Sequence, residues 1–345
     1  MRLMFQCFIC AEECSLDRRG RKQVCVLLVF AFWIFLTPLC AQTSPLDRAR
    51  SLVAARSSPD EAKSLLAQAI ASDPKNAEAH FLLGEILYAF GDYQQASEQA
   101  QEAVALDDSK SDYHLLLGNA LSGLVDSAGV FKKMSLARQM KAEFERAVAL
   151  NPKSIPARIA LLEFYAQAPS MVGGGPDKAF DQAKQIGALD PLEGHYAMAA
   201  LYLDQKKFAQ SEDEYKAAIN ANPKRAKSYS ELAFLYIQEK KDSEAQPAFK
   251  HAFELDPNYL PACFGVARSD LLSGQNLDEA ERLFKQYLAR WPDENEPSLA
   301  NADWRLGQVY EKENKKDLAV AEWNEARKLA PNFKPAQESL KAAGK

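Results

Sequence analysis

The sequence predicts an all-α protein: a solenoid of about eight stacked helix pairs over residues 43–333, preceded by a leader and closed by a short helix at 334–345. Three observations lead there. Helix-forming Ala, Leu, Glu, Lys and Gln dominate, β-branched runs are scarce, and 15 Gly and 17 Pro among 345 residues are too few for a low-complexity chain. One type of helix ending recurs, as AIASDPK at 69–75, AVALNPK at 147–153, AINANPK at 218–224, AFELDPN at 252–258 and ARKLAPN at 326–332. The endings follow a period of 34: Pro223 and Pro257 are one period apart, and Ala245 and Ala319, Phe249 and Trp323, Ala252 and Ala326, and Leu255 and Leu329 fill matching slots.

The leader, residues 1–41, has the layout of a secretory signal. Basic Arg18, Arg19, Arg21 and Lys22 precede the apolar run VCVLLVFAFWIFL at 24–36, and TPLCAQ follows. Thirteen apolar residues are short beside the roughly 20 of a membrane span. Cleavage is expected after Ala41. The alternative is an uncleaved signal that anchors the chain in a membrane through residues 24–39. Cys7, Cys10, Cys14, Cys25 and Cys40 all lie in the leader, and CFICAEEC at 7–14 reads as part of a dispensable extension. Once the leader is gone, Cys263 alone remains and no intrachain disulfide can form. The expected destination is outside the cytoplasm, periplasmic or secreted.

The leader holds five basic and three acidic residues, leaving 37 basic and 44 acidic residues behind it, a net −7. A mildly acidic array without a basic run is a poor match for a phosphate backbone, so nucleic acid is not an expected partner. No second long apolar segment follows, so any membrane contact is expected only through an uncleaved leader.

The array divides into units near 43–76, 77–110, 111–154, 155–191, 192–225, 226–259, 260–299 and 300–333. In the unit starting at Ala226, Tyr229, Leu232, Ala233 and Tyr236 fall at positions 4, 7, 8 and 11 and form one stripe on a first helix. Ala245, Phe249 and Ala252 at 20, 24 and 27 form the stripe on a second helix, and Pro257 at 32 ends it, since proline has no amide donor and cannot extend the preceding helix. Leu83-Gly84, Leu117-Gly118 and Leu306-Gly307 repeat positions 7 and 8, where small residues let the paired helices approach. No single pair buries its apolar face, so neighbours complete the core. KPAQESLKAAGK, 334–345, reads as the capping helix.

This pattern resembles the tetratricopeptide repeat, with aromatic, Leu-Gly, Tyr, Ala, Phe, Ala and Pro at these offsets of a 34-residue helix–turn–helix, over about 43–335. The resemblance implies a right-handed superhelix whose concave face is lined by positions 2, 5, 9, 12 and 13 of each first helix. Carried onto this chain, it implies a partner-binding groove of Phe81, Glu85, Tyr88, Leu115, Asn119, Ile159, Glu163, Tyr196, Leu203, Phe234, Ile237, Trp304 and Gln308. The chaperone-tail binders of the family clamp a terminal carboxylate with Lys and Asn; Glu85 and Asp112 stand where that clamp would tolerate them least, so that subclass is not expected.

Two units break the period. About ten extra residues surround SGLVDSAGVFKK at 122–133, and about five fall in APSMVGGGP at 168–176. Both lie between a first and a second helix, on one edge of such a solenoid, so they are expected side by side. Met171, Val172, Gly173, Gly174 and Gly175 are candidate contacts.

Signals for chemistry are weak. His80, His114 and His195 all fall at position 4, where a polar-tipped aromatic fills a packing slot, and His251 lies on a second helix. No zinc spacing exists behind the leader. MVGGGPDKA lacks the phosphate-loop spacing and follows no strand, and no serine elbow appears. The expectation is a non-enzymatic scaffold or adaptor without cofactor or metal, holding a protein or peptide partner in its groove. The alternative is an accessory subunit of a cell-envelope assembly, secretion or transport complex, joined through the insertions.

Overall fold

The computed structural model describes residues 44–125, 128–291 and 297–344. The chain divides into Met1–Ser44 and Pro45–Lys345, and the second unit carries the fold. The leader readings therefore lie outside the described residues, as do residues 126 and 127 of the first insertion. Every regular element among the described residues is helical.

The helices come in consecutive pairs: α1 (Pro45–Ala54) with α2 (Pro59–Ser72), α3 (Ala77–Ala89) with α4 (Tyr93–Leu106), α5 (Ser111–Gly123) with α6 (Val130–Leu150), and α7 (Ile155–Gln167) with α8 (Pro176–Leu189). There follow α9 (Pro191–Asp204) with α10 (Phe208–Ala221), α11 (Ala226–Gln238) with α12 (Asp242–Leu255), α13 (Leu260–Ser273) with α14 (Leu277–Leu288), α15 (Leu299–Lys312) with α16 (Lys316–Leu329), and the closing α17 (Lys334–Ala342). Each helix packs mainly on the ones before and after it in the chain, and most first helices also touch the first helix of the next pair. This is an α-α solenoid.

The recurrent endings have a local cause beyond the proline. Asp73, Asp107, Asn151, Asn222 and Asp256 each accept the backbone N–H two residues on, at 2.9–3.2 Å. The side chain mimics a turn and stops the helix before the next pair begins. New helices start on side-chain caps at Asn76, Asp92, Ser154, Asp190 and Ser298, which satisfy amides that have no helical partner.

Position 8 is small because position 24 is large. A Cβ on Gly118 would sit 2.3 Å from the Phe144 ring, and one on Gly307 would sit 2.4 Å from Trp323 Nε1. Phe144 and Trp323 are buried on these glycines. Where position 24 is Ala100, a Cβ on Gly84 would meet Leu116 at 3.0 Å instead.

The first insertion is partly helix, at Ser122 and Gly123 and from Val130 on. α6 runs for 21 residues where most second helices have 14, so Val130–Lys133 form its first turn and not a loop. One contact departs from nearest-neighbour stacking. Trp291, just after α14, is buried among residues of the first two pairs, including Ala49, Leu66 and Ile86, with its ring 6.2 Å from that of Phe90.

Candidate partner-binding site

α3, α5 and α7 are the first helices of three consecutive pairs, and each touches the next. Position 12 of α3 and position 9 of α5 and α7 supply Tyr88, Asn119 and Glu163 to one cavity of about 510 Å³. A second wall is α6, which contributes Lys133, Met134, Ala137, Met140 and Phe144 at helical spacing. The rim is the segment after α7: Ala168, Pro169, Met171 and Val172. Both insertions thus lie side by side, through Ser122, Val125 and Lys133 of one and Met171 and Val172 of the other.

The glycines shape that rim. Ser170–Val172 form a single 3₁₀ turn, and Gly173 follows with φ 101°, a conformation open mainly to glycine. At Gly174 a Cβ would lie 1.8 Å from the carbonyl oxygen of Ala168, so any side chain would push the strap off its base. Gly175 donates to the Tyr165 carbonyl oxygen at 2.8 Å, and its own conformation is extended with open space beside it. The result buries Val172 and leaves Met171 69% exposed.

Also on α3, Glu85 is mostly withdrawn from water. Burial, then repulsion from Asp112, pushes its carboxyl up to about 7, and Arg56 opposes the shift. Leu115 and Ile159 are partly buried against the core formed by α6 to α9.

The remaining expected groove residues are occupied by neighbours. Phe81 stacks on Tyr113 with centroids 4.9 Å apart. Tyr196 is buried, its hydroxyl 2.6 Å from Ser228 Oγ and Lys227 over its ring, so it belongs to the joint between two pairs and offers no groove surface. Phe234 packs edge-on against Phe249 at 4.9 Å, and Ile237 joins the same cluster. Trp304 donates to Ser339 Oγ and packs on Phe333, tying α15 to the closing helix. Leu203 and Gln308 are partly buried. These aromatics fall at groove positions by count, yet the first-helix stripe is wide enough that they also serve the inter-pair core.

The α6 wall is not visible in the 34-residue alignment, because the period breaks between Gly118 and Met140. Met134, Ala137 and Met140 recur there at three-residue steps, which is the signal that would find it. The position-4 histidines do more than fill slots: His80 lies 2.8 Å from the Gln99 amide, His114 2.6 Å from Glu143, and His195 2.7 Å from Glu214, each bridging to a second helix. Among the described residues no three His, Cys, Asp or Glu side chains gather to hold a metal ion. No helix among them is long and apolar enough to cross a membrane.

Three tetratricopeptide repeat families match the chain, over residues 53–120, over 192–225 and 226–259, and over 269–332. No curated protein matches it. Among solved structures, the yeast Tom70 is similar in fold, with a TM-score of 0.62 at 15% identity, covering 88% of this chain and 64% of that one. A thermophilic tetratricopeptide repeat protein of Thermus thermophilus matches with a TM-score of 0.48 at 24% identity, covering 56% of this chain and 97% of that one.

Proposed function

The chain belongs to the tetratricopeptide repeat family, whose proteins generally mediate protein–protein interactions, and from that premise we propose that it is a non-enzymatic scaffold holding a peptide segment of a partner protein. The observation that carries this is the cavity where Tyr88, Asn119 and Glu163 from three successive pairs meet Met171 from the glycine strap. A concave site with methionine and aromatic walls and several polar groups converging on it suits a side chain presented by an extended or helical segment. Apolar burial supplies affinity, and the polar groups fix register.

The test is a selection of peptides from a random displayed library against the folded full-length chain. Peptides that bind wild type and lose about tenfold or more in affinity on a Tyr88→Ala/Glu163→Ala double variant support the reading. Peptides that bind both proteins equally remove the cavity from it.

A second reading, an accessory subunit of an envelope complex, is favoured by one feature. Val130, Phe131 and Met171, at the two insertions, are 73%, 90% and 69% exposed. Deleting 168–176 would then abolish assembly, whereas Tyr88→Ala/Glu163→Ala would leave assembly intact. Either role is proposed to lie outside the cytoplasm, on the strength of the basic-then-apolar order of the leader. A fusion of residues 1–60 to a reporter active only after export checks it; activity lost on replacing Leu27 and Leu28 with Asp supports export.

A further inference from the structure

We propose that the edge between the two insertions receives an acidic amphipathic segment, its apolar side chains entering the Met-lined cavity and its carboxylates meeting the cations of α6. This rests on the scaffold reading and adds the chemistry of the segment held.

Residues 130–141, VFKKMSLARQMK, hold Lys132, Lys133, Arg138 and Lys141 and no acidic residue, in a chain of net charge −5. Some exposed cations elsewhere are paired, as Arg50 is with Glu78 and Arg282 with Glu279, and others among the described residues, such as Lys153 and Lys224, stand singly; residues 130–141 differ in gathering four cations on one helix with no carboxylate among them. Within this stretch only Lys141 has a carboxylate partner, Glu145 at 3.4 Å. Among the described residues Lys132, Lys133 and Arg138 make no ion pair and no side-chain hydrogen bond.

Of those cations Lys133 lines the cavity, and Lys132 and Arg138 lie near it on the same helix. Met134, Ala137, Met140 and Phe144 follow one face of α6 into the cavity, and Arg138 sits one turn beyond Met134. Lys141 reaches across to the strap, its Nζ lying 3.1 Å from where a Gly173 Cβ would be. Methionine walls reshape around leucine, methionine or phenylalanine side chains.

The three most exposed large hydrophobic residues among those described, Phe131, Val130 and Met171, all sit at this edge. Scattered exposed apolar residues need no explanation, but a group from two insertions beside one cavity marks a contact surface. Unneutralised cations beside it select carboxylates and speed encounter, an effect that salt weakens. An anionic membrane would also attract the cations and Phe131, but a flat lipid surface leaves a recessed cavity of about 510 Å³ unfilled.

The test uses the full-length chain and three labelled synthetic peptides of equal length with helically spaced residues: Leu with Glu, Leu with Lys, and Ala with Glu. The Leu/Glu peptide is expected to bind at least about tenfold more tightly than the others, to weaken about tenfold on Lys133→Glu/Arg138→Glu, and to weaken on Met140→Asp. Lys133→Gln/Arg138→Gln, with helicity checked by circular dichroism, gives a smaller loss and guards against a misfolded charge reversal. Equal binding of the Leu/Lys peptide, or indifference of the Leu/Glu peptide to both cation variants, overturns the inference. So does binding of phosphatidylglycerol vesicles that these variants abolish while no peptide binds. A library-selected peptide seated in the cavity with basic residues sinks this inference and leaves the scaffold reading intact; no binding by any peptide sinks both.

Discussion

His80 Nε2 donates to the carbonyl oxygen of Pro74 at 3.1 Å, and this reach of six residues back to the inter-pair turn recurs along the array. His114 does the same to Asp108, Arg158 to Pro152, Tyr229 to Pro223, Cys263 to Pro257 and Gln337 to Pro331. Five residue types perform one task. In these six helices position 4 supplies a donor that bends back over its own helix start and satisfies the turn carbonyl left over at the end of the previous helix, whereas His195 and Asp303 at the same position make no such bond.

Arg158 is the most committed of these donors. It is buried and bonds Pro152, Gln182 and Gln185. Arg158→Ala is expected to cost about 2–4 kcal/mol, since it strands three acceptors in a tight joint. Tyr229→Phe, at an exposed bond, should cost about 1 kcal/mol or less. Urea unfolding followed by circular dichroism gives both values, and equal losses would refute the ordering.

Helix approach at position 8 predicts a graded series. Gly118→Ala and Gly307→Ala force the Phe144 and Trp323 rings to move, with an expected loss of about 1–3 kcal/mol each. Gly84→Ala meets only the flexible end of Leu116 and should be near neutral. Adding Phe144→Leu to Gly118→Ala should recover part of the loss if the ring is the obstacle.

The strap makes a sharper contrast between adjacent glycines. Gly174→Ala drives a methyl into the Ala168 backbone and should displace Met171 and Val172, seen as faster proteolysis at 168–176 and weaker peptide binding. Gly175→Ala, with open space around it and an extended backbone, should leave both unchanged.

Two carboxyls link stability to pH. Burial with Asp112 raises Glu85, and burial with Glu322 and Glu325 raises Asp303, each to about 7. In the unfolded chain they titrate at ordinary values near 4, so between about pH 4 and 7 the folded state binds more protons. Stability from these groups is fully present below that window and lost as pH rises through it. Glu85→Gln or Asp303→Asn should therefore add about 1–2 kcal/mol at pH 8 and little at pH 4. Thermal melts across pH decide it; a gain confined to acid pH would contradict the sign.

Trp291 tests whether the array is held by more than neighbour contacts. Trp291→Ala empties a buried site against Phe90 and should cost about 3–5 kcal/mol if that joint is tight. Amide exchange should rise around Ile86–Gly91 while that of α6 and α7 stays as in wild type. Uniform change across all pairs would show that the contact is not local to the first two.

Helix pairing was legible in the sequence because its causes are local. Pro257, Ala245 and Phe249 each act within one unit, and a 34-residue period repeats the same short-range instructions. The insertions were legible as breaks in that period, and their shared edge followed from counting helices. What could not be read is which apolar side chains a neighbour covers. Tyr196 and Phe234 stand at groove positions yet are claimed by Ser228 and Phe249, while Met140, at the end of the broken stretch, faces the cavity. Nor does the sequence place Trp291 beside Phe90, with α4 to α14 between them in the chain. Those contacts depend on the summed small rotations between successive pairs, which no single unit encodes. Local spacing fixes each hairpin; only their accumulated geometry decides which faces meet.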